Sequence, residues 1–170
     1  MSDSGQSRKA EEFCALHRAE APLVLPNVWD PGSAVIAAEM GFPALATTSA
    51  GVAWALGRSD GEQLSRDEML SAVGGIAARV ALPVTADMEA GYGNTAQEVA
   101  ETVRLTIAAG AIGINLEDGL DHAAGTLLER SAAVERIAAA RAVAVESGIP
   151  LVINARTDVY FNGKASETEK

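Results

Sequence analysis

Short apolar runs alternate along the chain with longer segments that carry helix signals. Five of these runs are nearly continuous in Val, Ile, Leu or Ala, which is typical of strands that are covered on both faces. The sequence therefore predicts strands at residues 23–27, 44–48, 83–87, 112–117 and 151–154.

The intervals between these runs predict helices. Ser65 and Glu68 have the spacing of a capping box, and Gly148 lies where a left-handed residue commonly ends a helix. The predicted helices cover residues 9–20, 33–40, 65–80, 95–109 and 129–147. Repeated strand–helix units favour a parallel sheet with right-handed crossover connections.

Residues that can carry chemistry follow each predicted strand. In chain order they are Trp29-Asp30, Ser49-Ala50-Gly51 with Asp60 further on, Asp87 with Glu89, Glu117-Asp118, and Arg156 with Asp158. A (β/α)8 barrel carries its active site at the carboxyl ends of its strands, whereas a doubly wound sheet gathers such residues at one switch point. Five consecutive strand ends of this kind favour an α/β fold of the TIM-type (β/α)8 barrel class.

Asp87 and Glu89 are the most informative pair. Side chains at i and i+2 of a strand point the same way, so two carboxylates there repel each other unless a cation lies between them. Two glycines, Gly91 and Gly93, then turn the chain away. Mg²⁺ prefers such oxygen ligands, which makes this a candidate metal site; the alternative is a pair of solvated loop acids.

Other strand-end residues also have two interpretations. Glu117 either faces the barrel mouth or caps a turn, and Asp118 is expected to point the other way and accept a backbone N–H. Arg156 either binds an anion or forms a surface ion pair with Asp158. Asp60, in a glycine-flanked segment, is by itself an ordinary turn former.

Composition narrows the functional classes. The chain has 170 residues, one domain by length, and a formal net charge of -10, which argues against nucleic acid as a partner. Cys14 is the only cysteine, so a reducing compartment fits. No apolar run approaches membrane-spanning length, and a cytoplasmic protein without a membrane partner is expected.

Six segments together carry a family resemblance. They are residues 27–34, 47–51, 57–60, 87–93, 115–118 and 154–158. In this order and spacing they resemble the phosphoenolpyruvate mutase/isocitrate lyase superfamily. The resemblance implies a Mg²⁺-dependent enzyme, with Mn²⁺ as the alternative ion, that makes or breaks a bond next to a 2-oxo acid through an enolate. It also implies a homo-oligomer, commonly a tetramer.

The resemblance also implies roles for individual residues. Asp87 would bind the metal directly, and three carboxylates would hold metal-bound waters: Asp60, Glu89 and Glu117. The substrate carboxylate would be held by Ser49 and the backbone N–H groups around Ala50 and Gly51. Arg156 would pair with anionic substrate oxygens, and Trp29 and Asp30 would line the pocket. The candidate catalytic residues are Asp60, Glu117, Arg156 and His122.

Two departures from the family pattern bear on function. About eight strands are expected, and this chain carries five, so residues 1–170 are predicted to form a single partial barrel domain with residues 1–8 disordered. A truncated chain, part of a longer protein and a paralogue that borrows strands all stay open. The loop at residues 119–126 lacks the Lys-Cys-Gly-His segment of isocitrate-lyase-like members and the Lys and Asn of the mutase and phosphonate hydrolase branches, which leaves the branch unassigned.

His122 lies in that loop and is a candidate acid/base, because its pKa range suits proton transfer near neutrality; the alternative is a surface histidine. The first functional hypothesis is a Mg²⁺-dependent carbon–carbon lyase acting on a small 2-oxo or 2-hydroxy carboxylic acid through an enolpyruvate-like intermediate, with residues 120–126 as a lid. The alternatives are a C–P bond mutase or hydrolase acting on phosphonopyruvate, and a truncated, non-catalytic assembly or binding paralogue.

Overall fold

The computed structural model describes residues 4–121 and 124–161. Its helices are α1 (Ser4–Leu16), α2 (Pro31–Glu39), α3 (Ser49–Ala55), α4 (Arg66–Arg79), α5 (Ala96–Ala108) and α6 (Arg130–Ser147). Its strands are β1 (Asn27–Val28), β2 (Leu45–Thr47), β3 (Val84–Asp87), β4 (Gly113–Glu117), β5 (Gly119–Asp121), β6 (Thr126–Leu127) and β7 (Val152–Arg156).

Within the described residues, one sheet holds five parallel strands in the order β1-β2-β3-β4-β7. Apart from the β5–β6 hairpin, each strand pairs with the next one along the chain, as in the wall of a (β/α)8 barrel and unlike a doubly wound sheet. Asp87 is in register with Asn115, and Glu117 with Arg156. The TIM-type α/β fold prediction, with about five strands in this chain, is confirmed.

The first strand differs most from its predicted bounds. The sequence predicts residues 23–27, whereas the ladder begins only at Asn27. Pro22 and Pro26 lack an N–H group and cannot donate to a ladder. The carbonyl of Pro26 still accepts a hydrogen bond from the Ala46 N–H group at 3.1 Å, so the apolar run approaches the sheet before it pairs fully.

Helix α3 and the β5–β6 hairpin were not predicted. Helix α3 has seven residues, too few to show a helical period in the sequence. Its start is fixed by Thr48, whose Oγ1 accepts a hydrogen bond from the Gly51 N–H group at 3.3 Å. The hairpin pairs antiparallel at the point where the sequence predicts a lid.

Helix α1 begins earlier than predicted. Residues 4–8, expected to be disordered, form its first turns. The Gln6 side chain fixes them, since its Nε2 donates to the carbonyls of Ile107 and Ala111 at 2.7 and 3.1 Å. The polar composition that suggested disorder is therefore used to satisfy backbone acceptors near the end of α5.

Helix α1 covers the end of the sheet opposite the predicted site. Lys9 and Cys14 donate to the carbonyls of Val80 and Pro150, which precede β3 and β7. Between them, Phe13 is 1% exposed and lies so close to Gly113 that a Cβ there would come within 2.9 Å of its ring. The glycine in β4 therefore makes room for the aromatic ring.

The apolar core lies in two parts. The larger packs β3 and β4 against α1, α4, α5 and α6, and the smaller packs α2 and α4 against β1, β2 and β3. Strand β7 is less covered, with Asn154 and Ala155 exposed. Across the described residues, no helix combines the length and apolarity needed to cross a bilayer.

Replacing Phe13 with Ala is expected to lower the free energy of unfolding by about 3–5 kcal/mol, because it removes a fully buried ring and leaves a cavity. Phe161→Ala is the matched control: Phe161 is 84% exposed, so its loss is expected to change stability by less than about 0.5 kcal/mol. Urea unfolding measures both. Equal effects of the two substitutions would contradict the packing of α1 under the sheet.

Candidate active site

Asp87 lies at the end of β3 and is 8% exposed. Its Oδ2 accepts hydrogen bonds from the Ser49 backbone N–H at 3.1 Å and the Ser49 hydroxyl at 2.7 Å. Its backbone N–H donates to Thr47 Oγ1 at 2.9 Å. The other carboxylate oxygen, Oδ1, is buried and has no hydrogen-bond partner among the described residues. Since an unsatisfied buried carboxylate oxygen is costly, Oδ1 is suited to contact a cation.

The donor set fits an ion that keeps much of its water. Within residues 4–121 and 124–161, no three His, Cys, Asp or Glu side chains are grouped closely enough to form a protein-only metal cage. Mg²⁺ does not need one, since it commonly binds through one or two carboxylates and retains several waters. Asp87 is the residue placed to contact such an ion directly.

Glu89 follows Asp87 and is 3% exposed. Its Oε1 accepts a hydrogen bond from the Tyr92 hydroxyl at 2.7 Å, and its Oε2 accepts one from the Glu62 N–H group. Burial raises the pKa of Glu89 above its ordinary value; these two donors oppose the rise, and the charges of Asp60 and Glu62 add to it. Asp60, although exposed, therefore lies close enough for its charge to act on Glu89.

The pKa of the Tyr92 phenol is also raised by its buried, acidic surroundings. Burial raises the pKa of Tyr92, and the nearby charge of Glu89 and the hydrogen bond between them raise it further. The hydroxyl therefore stays protonated and acts as a donor near neutral pH. It serves here to hold a carboxylate, not to accept a proton.

Three residues of this region have left-handed backbones. Glu62, Glu89 and Tyr92 have φ values of 53°, 50° and 53°, and they are the non-glycine residues of the described chain with positive φ. Such a conformation costs about 1–3 kcal/mol per residue and persists where the surroundings enforce it. The Tyr92 N–H group also donates to Glu62 Oε1 at 2.9 Å, so all three strained residues contact one another.

Arg156 lies across the mouth at the end of β7. Its Nη2 contacts Glu117 Oε2, and its Nε and Nη2 donate to Asp158 at 2.7 and 3.2 Å. Burial works to lower the pKa of Arg156, but the hydrogen bond with Asp158 and the charges of Glu117, Asp158 and Asp87 outweigh it and raise the pKa. The guanidinium therefore stays charged, and it lies near the candidate metal ligand.

Asp158 and Asp118 hold this arginine in place. Asp158 is 1% exposed, and its backbone N–H donates to Asp118 Oδ1 at 2.8 Å. Asp118 Oδ2 accepts a further hydrogen bond from the Thr157 hydroxyl at 2.7 Å. The expectation that Asp118 is structural and accepts a backbone N–H is confirmed. The Arg156–Asp158 ion pair also exists, but Asp158 is buried, so it is not a surface pair.

Ser49, Ala50 and Gly51 occupy the first turn of α3. The Ser49 hydroxyl and N–H group both donate to Asp87, and the Gly51 N–H group donates to Thr48. A Cβ on Gly51 would lie 2.6 Å from Thr48 Cγ2 and 3.1 Å from Trp29 Cβ, so a glycine is required there. The predicted contacts of this segment with a substrate carboxylate stay predictions.

Asp30 has a local role that the sequence analysis missed. It is the N-cap of α2, and its Oδ1 accepts a hydrogen bond from the Ser33 N–H group at 2.6 Å. That hydrogen bond holds the pKa of Asp30 below its ordinary value. An Asp followed by Pro31 and, three residues on, by Ser33 is a recognisable capping signal. Trp29 is 44% exposed beside it, and pocket lining by this pair stays a prediction.

The structure places Asp60 near Glu89 and Arg156 in contact with Glu117 and near Asp87. His122 lies outside the described residues. Sequence reasoning missed Glu62 and Tyr92 as site residues, and it expected Asp158 only as a surface ion-pair partner of Arg156. Their available signals were weak: Tyr92 is a large side chain between two glycines, and Asp158 follows Arg156 by two positions.

Two cavities open at this end of the sheet. One, of about 780 Å³, is lined by residues that include Glu62, Tyr92 and Arg136. The other, of about 410 Å³, is lined by Glu117 and Arg156 together with apolar residues of β4 and α6. Both have the size of small-molecule sites, and the second presents a cation and a carboxylate at its wall.

The fold defines an α/β protein of the TIM-barrel type, with buried carboxylates and an arginine at the carboxyl ends of its strands. Residues 13–170 match the family model described as phosphoenolpyruvate phosphomutase, and the chain belongs to that family. The predicted membership of the phosphoenolpyruvate mutase/isocitrate lyase superfamily is confirmed.

The chain is similar in sequence and structure to several lyase, mutase and hydrolase relatives. The 2-methylisocitrate lyase of Escherichia coli is 31% identical over 153 residues, which cover 86% of this chain and 51% of that enzyme. A candidate phosphonomutase from Burkholderia cenocepacia is 49% identical with a TM-score of 0.88, over 94% of this chain and 63% of that one. Oxaloacetate acetylhydrolase, solved with its product oxalate, is 33% identical with a TM-score of 0.84, over 94% and 56%. The chain spans about half the length of the curated relatives it matches.

Tyr92→Phe is expected to raise the pKa of Glu89 further, because it removes a donor that stabilises the carboxylate. A group whose pKa is raised by folding stabilises the fold fully below its unfolded value, and that contribution is lost as the pH rises through the folded value. The variant should therefore lose stability over a pH range that extends higher than in wild type. Carbon-13 NMR titration of the Glu89 carboxyl checks the shift; an unchanged midpoint would contradict the hydrogen bond.

Proposed function

We propose that this protein is a Mg²⁺-dependent carbon–carbon lyase that acts on a small 2-oxo or 2-hydroxy carboxylic acid. The observation that carries the proposal is the buried, unpartnered Oδ1 of Asp87, beside a permanently charged arginine. A bound divalent cation would satisfy that oxygen and offset the surrounding negative charge. Arg156 supplies a planar donor suited to a carboxylate.

Each side chain has a definable part in this proposal. Ser49 orients Asp87 by holding Oδ2, which leaves Oδ1 for the metal. Asp60, Glu89 and Glu117 would accept hydrogen bonds from metal-bound waters. When bound, Mg²⁺ supplies a Lewis acid that stabilises negative charge on an enolate oxygen.

Arg156 would bind the acid group of the substrate. Asp158 and Glu117 occupy Nε and Nη2, while Nη1 has no hydrogen-bond partner among the described residues. The two N–H bonds of Nη1 are therefore the donors that a substrate oxygen would use. Fixing the guanidinium in advance reduces the entropy lost on binding.

The named relatives support a substrate of this class. One is a 2-methylisocitrate lyase and another an oxaloacetate acetylhydrolase with oxalate as its product, so both act on or release small carboxylates. Because the chain spans about half of such proteins, the activity proposed is that of the whole protein. A cytoplasmic location and a homo-oligomer, a tetramer by resemblance, remain predictions.

A C–P bond mutase or hydrolase acting on phosphonopyruvate is the second candidate. It is favoured by the 49% identity to a candidate phosphonomutase. Assaying pyruvate release from 2-hydroxy and 2-oxo acids beside conversion of phosphonopyruvate separates the two. Conversion of phosphonopyruvate alone would replace the first proposal, and a stable oligomer active on neither would favour the non-catalytic alternative.

Asp87→Asn is expected to weaken Mg²⁺ binding by more than about 100-fold, because it removes the charge of the direct ligand. This loss exceeds the roughly 10- to 100-fold typical of residues that only orient a metal ligand. Isothermal titration with Mg²⁺ and oxalate, which resembles an enolate of pyruvate, measures this. Asp67→Asn, an exposed residue in the first turn of α4, is the matched control and should bind as wild type does. Equal affinity in wild type and Asp87→Asn would sink the metal assignment.

Arg156→Lys is expected to weaken oxalate binding by roughly tenfold, or about 1.4 kcal/mol, because an ammonium cannot replace a planar, doubly held guanidinium. Charge is conserved, so the loss reports geometry. Arg104→Lys, in a half-exposed surface ion pair, is the control. An oxalate affinity that is the same in both variants would remove Arg156 from the anion site.

A further inference from the structure

A closed ring of hydrogen bonds joins two loops over the candidate metal pocket. The Glu62 N–H group donates to Glu89 Oε2, the Tyr92 hydroxyl donates to Glu89 Oε1, and the Tyr92 N–H group donates to Glu62 Oε1. Glu62 and Tyr92 each use both the backbone and the side chain, and Glu62 is the member that comes from a different loop. It comes from the loop between α3 and α4, whereas Glu89 and Tyr92 follow β3.

Glu62 makes the hydrogen bonds that join its loop to the segment after β3. Among the described residues, the other hydrogen bonds of residues 57–63 stay within this loop or reach α3: Arg58 donates to Ala53 and Gln63, and Gln63 donates to Gly61. The loop also carries Asp60, two residues before Glu62. The hydrogen bonds of Glu62 therefore limit how far Asp60 can move from Glu89.

The backbone of the ring supports a specific role. Among the described residues, its three members are the non-glycine residues with positive φ, although they lie on two separate loops. Strain that coincides with a shared set of contacts indicates that the contacts enforce it. Simple surface hydrogen bonds would not require three residues to adopt this conformation.

We infer that Glu62 is a positioning residue of the metal site: by holding both the Tyr92 turn and Glu89, it fixes the carboxylates of Glu89 and Asp60 for the water shell of a divalent cation bound at Asp87. The inference rests on the proposed function for the cation itself. Residues that orient ligands in this way typically contribute about 10- to 100-fold to metal affinity.

The test compares Glu62→Ala with Glu62→Gln in the full-length protein. Both remove the same negative charge, but Gln keeps a side-chain oxygen that can accept the Tyr92 N–H. Mg²⁺ affinity in the presence of oxalate should fall about 10- to 100-fold in Glu62→Ala and stay within about threefold of wild type in Glu62→Gln, because a single neutral hydrogen bond replaces a charged one. Glu135→Ala, an exposed glutamate of α6, controls for loss of surface charge.

Hydrogen exchange at the Tyr92 amide gives a readout that does not depend on the metal. Exchange should be faster in Glu62→Ala than in wild type and nearly unchanged in Glu62→Gln. If Glu62→Ala does not fold, Glu62→Asp, which keeps the charge but shortens the reach, takes its place and should show the same loss.

The outcomes are separable. Equal weakening of Mg²⁺ binding by Ala and Gln would reduce the effect to charge and overturn the inference, as would wild-type binding by Glu62→Ala. If the wild-type protein binds no Mg²⁺, the proposed function fails, and the inference of a positioning role at a metal site fails with it. Unaltered Tyr92 exchange in Glu62→Ala would overturn the ring itself, whatever the metal result.

Discussion

Burial of carboxylates at the ends of adjacent parallel strands is the constraint on which this site depends. Asp87, Glu89 and Glu117 are each at most 8% exposed, and Asp158 is 1% exposed. Removing a carboxylate from water costs several kcal/mol unless it is paired and hydrogen-bonded. Arg156 offsets part of this charge, and one oxygen of Asp87 has no partner among the described residues. The divalent cation proposed for this site would offset the remaining negative charge.

The two sides of the mouth are held by different means. On the β7 side, buried ion pairs orient Arg156, and Asp118 fixes the segment that follows it. On the β3 side, hydrogen bonds between loops enforce left-handed backbones at Glu62 and its partners. The ion pairs keep the Arg156 guanidinium charged. The strained ring instead fixes the position of the Glu89 carboxylate without adding positive charge. The first arrangement suits anion binding, and the second suits a cation's water shell.

The sequence predicts the fold well because the fold depends on local patterns. Continuous apolar runs define the strands, and strand direction then places Asp87 at the mouth. Prediction from the sequence fails where a residue's hydrogen-bond partner is distant along the chain. Gln6 looks like part of a polar tail until its acceptors near β4 are known, and Glu62 looks like a turn residue until Tyr92 is seen beside it. Asp30 is the exception, since its capping signal was local and was overlooked.

The site is assembled from contacts between successive strand–helix units. Ser49 and Asp87 are 38 residues apart, Glu62 and Glu89 are 27 apart, and Asp118 and Asp158 are 40 apart. Each pair joins one unit to the next around the sheet, so neighbouring units are sufficient to form each contact. The described units therefore contain the predicted metal ligand, its nearby carboxylates and the candidate anion-binding arginine.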